Sequence, residues 1–90
     1  VTPQETLKAA AEYISGHGWT QDRMEGRDGS TCALGAILNA CYGDEDAYGQ
    51  AVARLNRHIR SHVAISDWND APGRTAEEVI LTLKRAAEEL

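Results

Sequence analysis

Apolar residues recur at intervals of three and four along four stretches of the chain, and the residues that flank those stretches supply helix starts and stops. In the first stretch Leu7, Ala10, Ala11 and Ile14 fall on one face. Thr2-Pro3-Gln4-Glu5 ahead of them combines an N-cap hydroxyl, a proline at the first helical position and a glutamate at N3, which predicts a helix over about residues 3 to 15. Gly16 and Gly18 end it, because glycine turns left-handed without a Cβ clash; a phosphate loop is not indicated, since neither a preceding strand nor a following Gly-Lys-Ser/Thr is present.

In the second stretch Leu34, Ile37, Leu38 and Cys41 form a stripe that ends at Gly43, with Ser30 or Thr31 as its expected cap. Its small residues Ala33, Gly35, Ala36 and Ala40 would let neighbours approach closely, so this helix is expected at the centre of the fold. The third stretch opens on Asp44, Glu45 and Asp46 and closes on Arg54, Arg57, His58, Arg60 and His62, an order that suits the helix dipole at both ends. Tyr48, Val52, Leu55, Ile59 and Val63 share its apolar face, and the arginines fall on the opposite, solvated arc. The fourth begins with Thr75-Ala76-Glu77-Glu78, a second capping-box pattern, and carries Val79, Ile80, Leu83, Ala86, Ala87 and Leu90 to the end of the chain. Between the first two stretches the polar, glycine-containing segment 19–30 has no period and is expected to be a mobile loop, at most a short hairpin around Arg27-Asp28-Gly29. The pattern therefore predicts an all-α fold, residues 1–90 forming a single small domain of about four helices packed as a compact bundle.

Composition sharpens this picture. With 90 residues, no Phe, two Trp and three Tyr, the one core must be built mainly from Ala, Leu, Ile and Val, which favours closely packed helices. A net charge of -5, with six acids against three bases from Val63 to Leu90, argues against a nucleic-acid partner, because phosphates reward Lys and Arg. No apolar run approaches the roughly 20 residues of a membrane span, the first residues lack a secretory pattern, and two cysteines do not make a disulfide scaffold. The expectation is a cytoplasmic protein with no membrane association, a monomer or weak homodimer, and no cofactor.

The stretch SDWNDAPGRT at 66–75 is the densest cluster of functional residue types. Read as a structural corner, it has Trp68 buried as a wedge with its indole N–H on a carbonyl, Asn69 and Asp70 making Asx turns, Pro72-Gly73 reversing the chain and Thr75 capping the last helix. Arg74 could pair with Asp70. Trp19, just past the first helix stop, is expected as a second core plug over helix ends.

Read as a site, the cluster contributes to a catalytic alternative. Cys32 falls in the first turn of the second helix, where free N–H groups and the dipole favour a thiolate; His17 could act as base, and Asn69 or Asp70 as orienter. That is the residue list of a Cys-dependent hydrolase or small-ligand-binding protein, and nothing local specifies an oxyanion hole. His58 and His62, four apart, lack a second ligand pair, and Cys32 and Cys41 stand on opposite faces of a helix about 13 Å apart in rise, so neither a metal site nor a disulfide is expected. For binding, the candidates are Arg54, Arg57 and Arg74 as a basic surface and the loop around Met24.

HGWTQ at 17–21, TCALGAI at 31–37 and SDWNDAPGRTAEEVI at 66–80, in that order, make the chain resemble a family of small uncharacterised actinobacterial and actinophage proteins of mycobacteriophage type, a domain of unknown function. The resemblance spans nearly the whole chain, with a shorter segment between HGW and CALGA than relatives often carry. It implies a phage-type origin, a host bacterial cytoplasm as location, and a non-enzymatic module that binds a host protein.

Overall fold

A computed structural model of the protein describes residues 2–60 and 63–89. Among these residues it is all-α: α1 (Pro3–His17), α2 (Ala33–Ala40), α3 (Glu45–Ile59), the short α4 (Ile65–Asn69) and α5 (Ala76–Glu88). The corner expected to be irregular thus contains one helical turn of its own. No helix of the described residues is long and apolar enough to cross a membrane.

The helix starts follow from local chemistry. At α1 the Thr2 hydroxyl accepts from the Glu5 N–H at 3.1 Å while the Glu5 carboxylate accepts from the Thr2 N–H at 2.9 Å, a complete capping box, and the bond from the Thr2 N–H, then the Thr2 side chain, hold the Glu5 carboxyl below its ordinary pKa. Asp44 caps α3 through the Ala47 N–H. Thr75 caps α5 through the Glu78 N–H, but the second capping box is only half made, because the Glu78 carboxylate pairs with Arg74 at 2.7 Å instead of returning to the cap. The cap of α2 is neither Ser30 nor Thr31 but Cys32, whose Sγ accepts from the Gly35 N–H at 3.4 Å. Neither expected residue caps it: the Ser30 hydroxyl donates to Asp28, and the Thr31 backbone is held in two isolated bridges, to Trp19 and Glu25, while its buried hydroxyl takes no partner among the described residues.

Two helix ends also correct the pattern reading. Gly18, at φ 97°, closes α1 with its N–H on the Ile14 carbonyl, while Gly16 remains inside the helix. α3 stops at Ile59 because Arg60 takes a left-handed conformation, so Val63 lies beyond the helix and is not part of its apolar face. The expectations for His62 and Leu90 lie outside the described residues.

The core is made from Leu7, Ala10, Ala11, Ile14, Ala33, Ala36, Ile37, Ala51, Leu55, Ile65, Val79, Leu83 and Ala86. α1, rather than α2, is central: it packs against α5, α2 and α3, with α5 as its main neighbour. The reason is its buried face, where Ala10 and Ala11 between Leu7 and Ile14 admit partners on several sides. The eight-residue α2 is pressed against the 19–30 segment, and Gly35 is needed there, since a Cβ would run into the Met24 carbonyl oxygen.

Candidate functional site

The 19–30 segment and the 65–75 corner are stitched together by one side chain. Asn69, at the end of α4, is fully buried. Its Oδ1 accepts from the Trp19 indole N–H at 2.7 Å and from the Ala33 N–H at 3.0 Å, and its Nδ2 donates to the Thr20 carbonyl at 3.1 Å and to Asp70 Oδ1 at 3.0 Å. The bond to Ala33 satisfies an N–H at the start of α2 that helix geometry leaves open. Around this node Gln21 Nε2 donates to the Asn69 and Ala71 carbonyls, and the Asp22 N–H donates to Asp70 Oδ1 at 2.9 Å. The Asp22 backbone bond, then the Asn69 side chain, hold the Asp70 carboxyl below its usual range. The loop expected to be mobile is therefore bonded to the corner from Trp19 to Asp22, to itself through Gly26 N–H to Ser30 O, and to the α2 cap through Cys32 N–H to Met24 O.

This arrangement reassigns the wedge. Trp68 is half-buried against the core with the Arg74 guanidinium 4.4 Å above its ring, and the Arg74 Nε donates to the Trp68 carbonyl at 3.0 Å. The indole that finds an acceptor is that of Trp19, and the residue fully sequestered at the bend is Asn69. Arg74 bridges Trp68 and Glu78 and does not pair with Asp70.

The other expected residues separate. Arg54 reaches across to the C-terminal end of α5, where its guanidinium donates to the carbonyls of Ala86 at 2.8 Å, Ala87 and Glu89. Arg74 stands at the opposite end of α5, some 20 Å away along the 13-residue helix, so Arg54, Arg57 and Arg74 do not make one basic surface. Arg57 is exposed. His58 is half-buried and paired with the Glu89 carboxylate rather than free on the surface; that bond holds the Glu89 carboxyl low. His17 is exposed, stacked on Tyr13 with ring centroids 4.1 Å apart and its Nδ1 on the Tyr13 carbonyl.

Two clefts meet beside the node. The smaller, about 150 Å³, is lined by Asp22, Arg23, Met24, Cys32, Leu34, Ser66 and Asp70. The larger, about 280 Å³, is lined by Leu34, Tyr48, Val52, Asn56, Ala64, Ile65 and Ser66. Leu34 of α2 and Ser66 of α4 line both, so the two clefts adjoin as one groove. Burial, then the nearby cysteines, push the Tyr48 hydroxyl up. Of the catalytic alternative, Cys32 and Asp70 share the smaller cleft, whereas His17 does not line it. The Cys32 side chain is 5% exposed, with Sγ already engaged as the α2 cap. Both cysteines are free, and among the described residues no group of three His, Cys, Asp or Glu side chains could hold a metal ion.

The groove is the feature that residue-by-residue reading missed. Met24 and Leu34 were visible as apolar residues, but that they share a rim with Val52, Ala64 and Ser66 depends on how α2, α3 and α4 pack. Comparison with curated proteins and with solved structures finds no match. Residues 1–89 do match a family model, and the chain belongs to the family of unknown function DUF6197.

Proposed function

We propose that this protein is a non-enzymatic interaction module that binds a polypeptide in the groove between the 19–30 segment, α2, α3 and α4. The observation that carries this reading is the groove's lining: apolar side chains from four separate elements, with the exposed Met24, at 44%, on its wall and the exposed Val63, at 49%, beside its Ala64 edge. Leu38, one turn along α2 from Leu34, extends the apolar surface outward at 38% exposure. The resemblance to small actinophage proteins makes a host protein the partner and the host bacterial cytoplasm the place of action. A Cys-dependent reaction has less support, since Cys32 and Asp70 meet in the cleft without an imidazole.

The test is affinity capture from an actinobacterial lysate with the wild-type protein and with Met24→Glu/Leu38→Glu. Both substituted side chains are exposed, so the fold should persist by circular dichroism. The reading expects a host protein retained by wild type and by the control Leu81→Glu, on α5 outside the groove, and lost with the double variant. Equal capture by all three proteins, or equal loss with the control, would refute it.

A further inference from the structure

We infer that the segment bound in this groove presents a lysine or arginine beside its apolar residue, and that the cationic head enters the smaller cleft between Asp22 and Asp70. This deepens the reading of the groove as a polypeptide-binding surface and rests on it.

Among the described residues the larger cleft is lined by no charged side chain, whereas the smaller carries two carboxylates against one guanidinium, from Arg23. The groove is thus apolar at one end and anionic at the other. The two carboxylates are not used up by the fold. Both hydrogen bonds that Asp70 accepts fall on Oδ1, which leaves Oδ2 without a partner among the described residues. The Asp22 side chain takes no hydrogen bond or ion pair there either. Its backbone, at φ 67°, sits in the left-handed region, and the bond from its N–H to Asp70 fixes that conformation and sets the two acids side by side on the cleft. Asp70 remains ionised over the physiological range because the same bond favours its charged form.

A second copy of this chain is a poorer occupant, since a net charge of -5 on each partner opposes association. A partner residue that lays an aliphatic stem along Met24 and Leu34 and ends in an ammonium or guanidinium would cover apolar wall and satisfy carboxylate oxygens at once. Arg23 opposes that charge from the rim.

The test uses a random 12-residue peptide display library selected on the full chain, followed by titration of the enriched peptide and of its version with every Lys and Arg replaced by Gln. The expected result is enrichment of an apolar residue near a basic one, with roughly tenfold weaker binding for the Gln version and for Asp22→Asn. Asparagine tolerates the left-handed conformation, so Asp22→Asn should keep the fold. Arg23→Gln should tighten binding, and raised salt should weaken it in wild type more than in Asp22→Asn. Peptides without basic residues, bound in the groove and insensitive to Asp22→Asn, would overturn the inference while leaving the groove reading standing. No enrichment would overturn both. Self-association abolished by Met24→Glu would assign the groove to a second copy and overturn the inference as well.

Discussion

Replacing Asn69 tests the claim on which the whole site depends, that one buried amide joins the loop to the corner. In Asn69→Ala four hydrogen bonds disappear, and two buried or half-buried donors, the Trp19 indole N–H and the Ala33 N–H, are left facing a small void. Each stranded polar group costs about 1–3 kcal/mol, so the two donors together cost roughly 2–6 kcal/mol, and we expect a loss near 4 kcal/mol. A chain of this size has a total stability of about 5–13 kcal/mol, so the substitution removes a large fraction of it. With a urea m value of about 1–1.5 kcal/mol/M the midpoint should fall by roughly 3 M, read by tryptophan fluorescence and far-ultraviolet circular dichroism.

Asn69→Asp separates the hydrogen bonds from simple loss of volume. The new carboxylate can still accept from Trp19 and Ala33, but its second oxygen would face the Thr20 carbonyl and Asp70 Oδ1, both acceptors. Protonation relieves the conflict by creating a donor, so the folded state raises the pKa of the new acid above the unfolded value of about 3.9. Stability relative to wild type is therefore least impaired near pH 4 and increasingly impaired as the pH rises toward 7. A loss under about 1 kcal/mol in Asn69→Ala, or a deficit in Asn69→Asp that does not grow with pH, would show that the amide is not the joint described here.

Gly35→Ala should destabilise by about 1–3 kcal/mol in thermal or urea unfolding because its Cβ meets the Met24 carbonyl and lies 3.1 Å from Thr31 Cβ, whereas Gly49→Ala on α3, with open space around it, should stabilise by about 0.5–1 kcal/mol. Arg54→Ala should cost about 1.5–3 kcal/mol by removing charged donors from the α5 carbonyls, against less than about 0.5 kcal/mol for the exposed Arg57→Ala, measured by the same unfolding curves. Asp70 has a folded pKa below its unfolded one, so its contribution is present above about pH 4 and is lost as pH falls through the folded value; Asp70→Asn should flatten that part of the acid unfolding profile. Alkylation of Cys32 by iodoacetamide in the native protein should be slow and should accelerate on unfolding, because the side chain is 5% exposed.

How far the sequence could be read depends on the range of each interaction. The starts of α1, α3 and α5 were legible because each cap lies within three residues of its partner, at Thr2, Asp44 and Thr75. The choice of Cys32 over Ser30 or Thr31 was not, because the backbone around Thr31 is set by bridges to Trp19 and Glu25 rather than by the helix it precedes. The SDWNDAPGRT stretch is recognisable as a corner from its turn residues, but which of them is fully buried is not. By size alone Trp68 is the better wedge. Asn69 takes the place because its amide offers donors and acceptors to Trp19, Thr20 and Ala33, which are 36 to 50 residues away in sequence. No periodicity or spacing reports a bond of that range.

The same limit explains why the arginines were misplaced and why the groove was invisible. Arg54 falls on the polar arc of α3, a position that pattern reading assigns to water, yet it meets the carbonyl end of α5 once that helix packs alongside. A cation at a helix C-terminus is stabilising wherever it comes from, so the fold can take it from a neighbouring helix as readily as from α5 itself. Capture of Arg54 and Arg74 at the two ends of α5 ties both to the fold, so neither belongs to a free basic surface. The groove's apolar half comes from three packed helices and its charged half from Asp22 and Asp70, a pair fixed by one backbone hydrogen bond across 48 residues. On the proposed reading, recognition at the groove and stability at the Asn69 joint are coupled, since Asp22 is held to Asp70 by the segment that Asn69 secures. Asn69→Ala should accordingly weaken peptide binding even under conditions where the helices remain folded, and undiminished binding by that variant would mean the acids do not need the joint to act together.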